Sequence, residues 1–206
     1  MMFALVESGS ITKMLNGNKG ITLNDLQYPR AIYTLWTEAE RNVIGIYTVE
    51  IDETNKKDEK WYINTNITYA FGSGKVTGSY GSATAKAHAD TLWTAQDETD
   101  GKGTEGELAT RGLKYNLIRD VKLNAANELA KTDWYITRKA EKSTAIPSAI
   151  TTHRNLVRSR QAAMETSITN ASDTPALETL YTYVNTADEG DPEVYERPLA
   201  EIPTLD

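Results

Sequence analysis

Hydrophobic positions fall into two regimes along the chain. Through the first hundred residues they come in short β-rich runs separated by turn residues. Beyond residue 107 they recur at helical spacing. Phe3-Ala4-Leu5-Val6 and Ile11-Thr12-Lys13-Met14-Leu15 predict two strands around Glu7-Ser8-Gly9-Ser10, with Gly9 supplying a positive φ for a hairpin turn. Asn16 to Gly20 is a second turn signal. Thr37 followed by Glu40 fits a capping box, so a helical turn is expected to begin there. Val43 to Ile51 and Trp61 to Phe71 read as strands, the second turned by Gly72-Ser73-Gly74 into Lys75-Val76-Thr77. Ala83 to Gln96 has helical composition, with Ala85, Ala89, Leu92 and Trp93 on one face. Gln96 to Glu107 has no apolar residue and three glycines, which predicts an exposed linker or long loop.

The remainder is predicted helical. Leu117, Val121, Ala125 and Leu129 form one stripe of a helix over Leu113–Lys131, broken at Thr132-Asp133. Pro147 suits the start of the next helix, whose face carries Ile150, Val157, Met164 and Ile168, with His153 filling the spacing. Thr174-Pro175 predicts a cap and first-turn proline for a short third helix bearing Leu177, Leu180, Tyr181 and Val184. From Thr186 the prolines at 192, 198 and 203 interrupt any regular element. The expected fold class is α+β: an N-terminal mixed unit over residues 1–95, a flexible loop or linker over 96–107, a helical region over 108–185 and an extended arm over 186–206.

Charge sharpens the last boundary. The 206 residues carry a net charge of −7, and Asp188 to Asp206 hold seven acids against Arg197 alone, a net of −6. The body is therefore close to neutral, without the basic face that nucleic acid requires. The arm also carries spaced apolar residues, Val194, Tyr195, Leu199, Ile202 and Leu205. These suggest an arm that docks on a partner through both charge and apolar anchors. The absence of cysteine excludes disulfides, thiolate catalysis and sulfur-bound metal. No apolar run approaches the ~20 residues that span a bilayer. Met1 to Glu7 lack the features of a signal peptide, so synthesis in and use from a cytoplasm are expected.

Candidate chemistry is sparse. Gly72-Ser73-Gly74-Lys75 has the ending of a phosphate loop, but Tyr69 stands where its first glycine belongs and Val76 where it needs Ser or Thr. A hairpin turn is the expected reading. The acids between Gln96 and Glu107 fit a calcium loop poorly, with Gln96 at its first ligand position and Lys102 at its seventh. His88 and His153 have no carboxylate at metal-like spacing, and no nucleophile elbow is present. No catalytic, cofactor-binding or metal-ligating residue is assigned. Arg138, Arg154 and Arg158 suggest either a carboxylate-binding edge or a solvated face with local ion pairs. Trp134 suggests either a partner anchor or a buried lock at the helix break.

Several landmarks occur in a telling order: Phe3-Ala4-Leu5-Val6-Glu7-Ser8-Gly9, Tyr28-Pro29, Ile44 to Val49, Leu129-Ala130-Lys131-Thr132-Asp133-Trp134, Ile146-Pro147, and Arg154 with Arg158. In this order the chain resembles tail-fibre-assembly and related tail proteins of tailed bacteriophages. The resemblance implies no enzyme activity and no cofactor. It implies a virion tail component made in the host cytoplasm, with other tail proteins (fibre or baseplate) as partners and several copies in a symmetric assembly. An assembly chaperone absent from the mature virion is the alternative it implies. Neither nucleic acid nor membrane is an expected partner.

Overall fold

Ser8 and Gly9, with φ of 51° and 78°, close a two-residue hairpin between β1 (Phe3–Glu7) and β2 (Ser10–Leu15). Two positive φ values in succession match the twist of the flanking strands. The same device recurs at Ser73 and Gly74, φ 52° and 76°. In the computed structural model, which describes residues 1–205, the fold is α+β, with an N-terminal mixed sheet and C-terminal helices. It divides into two units, Met1–Thr84 and Ala85–Asp206. The division falls ahead of the expected 96–107 linker.

In the first unit, β3 (Ile21–Leu23) and β4 (Leu26–Tyr28) form a small hairpin, followed by helices α1 (Ile32–Leu35) and α2 (Glu38–Val43). The capping box is complete: Glu40 N–H donates to Thr37 Oγ1 at 3.3 Å and Thr37 N–H donates to Glu40 Oε2 at 2.7 Å. Then come β5 (Ile46–Asp52), β6 (Tyr62–Ile63), β7 (Thr68–Gly72), β8 (Lys75–Ser79) and the two-residue β9 (Thr84–Ala85) at the boundary. The main sheet runs β2-β1-β5-β8-β7, parallel between β5 and β8 and antiparallel elsewhere.

Strand β1 is buried on both faces, which accounts for its unbroken apolar run. Phe3 and Leu5 pack with Ile32, Tyr33 and Ile46 on one side; Ala4 and Val6 pack with Val49 and Val76 on the other. Gly45 admits β1 to this position. Its φ is 81°, and a Cβ there would lie 2.7 Å from the Val6 carbonyl. Buried Arg41 donates to the Trp36 carbonyl and lies over the Phe3 ring, a placement that its charge alone would not suggest.

The single long strand expected over Trp61 to Phe71 is two strands. Asn64 pairs its amide with both Lys57 backbone groups at 2.8 Å, and Thr65 Oγ1 accepts from Gly81 N–H at 2.7 Å. Side-chain bonds of this kind compete with a strand ladder.

The second unit opens with extended chain, so the helix expected over Ala83 to Gln96 is absent. The carbonyls of Ala87 and His88 accept from Leu113 and Lys114 N–H, and Asp90 Oδ1 accepts from Gly112 N–H at 2.8 Å. Three N–H groups at the start of α4 (Leu113–Ala130) are thus satisfied by a neighbouring segment instead of by a side-chain cap. Gly112 permits the approach, since a Cβ there would meet Ala89 backbone at 2.3 Å.

Between the two, β10 (Thr91–Leu92) pairs with β11 (Leu108–Thr110) across α3 (Ala95–Thr99). Of the two readings, residues 96–107 are therefore the loop, tied at both ends by the β10–β11 pair, and not a linker between units. Thr94 and Asp97 form a second capping box, and Lys102 sits 3.0 Å from both Asp97 and Asp100.

Helix α4 runs antiparallel to α6 (Ser148–Asn170): Lys114 Nζ donates to the Thr169 carbonyl at one end and Arg154 to the Leu129 carbonyl at the other. The buried stripe of α4 is Leu117, Val121, Ala125 and then Glu128, not Leu129. Steps of four overrun a 3.6-residue turn, and by the third step the neighbouring position faces inward. α5 (Asp133–Lys142) lies between them, and α7 (Thr174–Tyr181) follows. Asp173, not Thr174, caps α7, accepting from Ala176 N–H at 2.8 Å. Thr174 is buried and donates to the Lys86 carbonyl at 2.6 Å.

The arm is not extended. Val184–Asn185 (β12) and Tyr195–Glu196 (β13) pair as a hairpin, and the chain then returns to its own helices. Leu199 is 1% exposed and its N–H donates to the Leu180 carbonyl at 2.9 Å. Arg197 lies over Tyr181 and Tyr183. The end of the chain belongs to the core because isolated short helices such as α7 need an apolar cover. Leu199→Ala is therefore expected to destabilise the second unit by about 2 to 5 kcal/mol. Urea unfolding followed by tyrosine and tryptophan fluorescence would measure the loss.

Candidate functional site

The second unit holds both of the surfaces that the sequence singled out, and it sorts their residues into structural and available ones. Arg154 is structural. Its Nη1 donates to the Leu129 carbonyl at 2.8 Å and to Thr132 Oγ1 at 2.7 Å, and lies 2.9 Å from Asp133 Oδ1. A buried guanidinium thus takes up a free carbonyl at the end of α4 and fixes the restart as α5. It is not a binding edge. Arg158, one turn on, is exposed.

Glu128 stands beside it, 5% exposed. Its carboxylate accepts from Lys131 Nζ at 2.5 Å and from Leu205 N–H at 2.8 Å, and lies 3.1 Å from His153 Nε2. Lys131 is the largest influence holding its pKa below the ordinary carboxylate value, and the Leu205 N–H adds to it against the opposing effect of desolvation. This group joins α4, α6 and the chain end. Nothing in the pattern of apolar residues marks it, because a glutamate at a helix position ordinarily reads as solvated.

Helix α5 is the available surface. None of its ten residues is buried. Trp134, read as a possible buried lock, is 51% exposed, and Ile136 is 42% exposed. The Trp134 and Tyr135 ring centroids lie 3.9 Å apart, and the Arg138 guanidinium sits 4.7 Å from the first and 5.4 Å from the second. Arg138 Nε is buried against them without a hydrogen-bond acceptor. Lys139 and Lys142 continue the basic side of the helix.

The arm residues separate as well. Leu199 and half-buried Ile202 serve the core, and Leu205 is anchored through its backbone. Val194 and Tyr195 remain exposed on the β12–β13 hairpin. Among the described residues no group of three or more His, Asp or Glu is placed to hold a metal ion. Asp97 and Asp100 of the 96–107 excursion are engaged by Lys102, and hydrogen bonds from Thr94 and Lys102 lower the Asp97 pKa to about 2. Gly72-Ser73-Gly74 is the hairpin turn already described. No helix is long and apolar enough to cross a membrane among the described residues.

The first unit has a cleft of about 550 Å³ at the end of β1, lined by Leu5, Leu23, Leu26, Val43 and Ile44 among others. Val43 at its edge is 86% exposed.

Comparison of the chain with protein-family models, with curated proteins and with solved structures finds no match.

The Glu128 cluster gives a pH dependence. A carboxylate with a lowered folded pKa contributes stability that is present above its unfolded value, near 4.5, and is lost as pH falls through the lower folded value. Acidification below about pH 4.5 should release the Leu205 amide first, while Leu199 stays covered. An NMR titration of the Leu205 and Leu199 amide resonances would follow the two separately.

Proposed function

We propose that the chain is a non-enzymatic structural component of a bacteriophage tail that attaches to or organises the tail fibre or baseplate. The observation that carries this reading is exposed apolar side chains without cover: Val43 and Leu26 at the rim of a cleft of mixed polarity, and Trp134 and Ile136 on α5, which buries none of its residues. Patches of this kind mark docking sites for other proteins. The order of landmarks from Phe3 to Arg158 supports a tail protein in particular. On this reading the protein resides in the virion tail after synthesis in the host cytoplasm, and it works in several copies against other tail proteins.

Mass spectrometry of purified virions of the encoding phage tests it. The chain is expected among the virion proteins, and Val43→Asp is expected to cut its incorporation at least tenfold while leaving the fold intact. Absence from virions, joined with loss of soluble fibre when the gene is deleted, would overturn the structural role in favour of an assembly chaperone.

A further inference from the structure

The two available surfaces of the second unit are opposite in charge. From Thr186 to Glu196 there are five acids and no base. Glu193 accepts from the Tyr195 hydroxyl at 3.2 Å, whereas among the described residues the side chains of Asp188, Glu189, Asp191 and Glu196 have no hydrogen-bond or ion-pair partner. Val194 and Tyr195, both exposed, stand among them. On α5, Arg138 is pinned over Trp134 and Tyr135 with its Nε lacking an acceptor, and among the described residues no acid pairs with Lys139 or Lys142. Of the two acids on α5, Asp133 is occupied by Arg154, which leaves Glu141 as the only opposing charge.

We propose that the acidic β12–β13 hairpin of one copy docks on the aromatic-basic face of α5 in a second copy. The hairpin supplies what that face lacks: carboxylates for Arg138 and Lys142, and the exposed Tyr195 ring to cover Trp134. A guanidinium already held flat on aromatic rings gives up little side-chain freedom on meeting a carboxylate, and Trp, Tyr and Arg are the residues that most often carry interface energy. The contact joins two different patches, so it is heterologous, and the pair retains one free hairpin and one free α5 face. The inference does not depend on the phage reading: it concerns only self-association.

Sedimentation velocity of the full chain tests it. The wild type should pass from a 22.8 kDa monomer to larger species as concentration rises. It should revert to monomer between about 0.1 and 1 M salt, as screening shortens from about 10 to 3 Å. Arg138→Ser with Lys142→Ser should abolish association, and so should Asp188→Asn with Asp191→Asn. Mixing these two variants should restore a single contact, giving a 1:1 dimer that grows no further, because each retains the surface the other has lost. Circular dichroism confirms that both remain folded. A wild type that stays monomeric at low salt, variants that associate as before, or a folded mixture that remains monomeric would each overturn the proposal.

Discussion

A carboxylate withdrawn from water at Glu128 organises the C-terminal unit. An ionised group at that depth is costly unless its acceptors are filled, and one helix cannot fill them. The three donors come from α4 itself, from α6 and from the chain end, so satisfying Glu128 brings those elements together. Its neighbour across the helix pair, Arg154, does the reciprocal task for donors. It accepts no hydrogen bond of its own but fills the Leu129 carbonyl, Thr132 and Asp133. His153 and Arg154 are consecutive in α6. One turn of that helix therefore holds both the chain end and the junction from which α5 departs.

This arrangement explains why a ten-residue helix without a buried side chain has a defined start. Isolated helices of that length are marginal in water. The α5 start is held through Asp133 and Thr132, and its end is closed by Ser143 in a left-handed conformation, with Ser143 N–H donating to the Lys139 carbonyl at 2.9 Å. Position is thus fixed at the ends while the faces remain free. The same logic applies in the N-terminal unit at smaller scale. The Thr37 capping box and the Arg41 contact with Trp36 fix the start of α2, the Ile44 N–H closes its end on the Arg41 carbonyl, and Val43 is left outside.

What was legible in the sequence were local devices that act within a few residues. The hairpins at Ser8-Gly9 and Ser73-Gly74, the Thr37–Glu40 box, the break at Thr132 and the start after Pro147 each follow from backbone preferences of the residues themselves. The α+β class followed from the change of period near residue 107. What was hidden depends on partners distant in sequence. The segment 83–96 has helical composition, but its carbonyls serve the first turn of α4, more than twenty residues on. The arm looked extended because its prolines forbid a regular element, yet Leu199 has a covered place against α7. Of the two readings of Trp134 the structure has the exposed one, whereas Arg154, expected at the surface on either reading, lies inside. A side chain's class gives its average location, whereas the open carbonyls at the end of α4 demanded a donor of the reach and shape of arginine.

The acidity of the chain end takes on a different meaning once this is seen. A uniformly acidic arm would repel its own carboxylates and remain solvated. Here the arm is divided. Residues 197 to 205 carry the apolar anchors, along with Arg197 and its ion-pair partner Glu201, and fold inward. Residues 188 to 196 carry the unpaired acids on a hairpin. Folding the first part is what presents the second: Leu199 and the Leu205–Glu128 bond anchor the distal side of the hairpin, and α7 anchors the proximal side. The concentrated charge is held at a fixed place on the surface, which lowers the entropy lost when it meets a partner. Charge gathered in this way favours a basic face over a neutral one and lets salt set the strength of the contact.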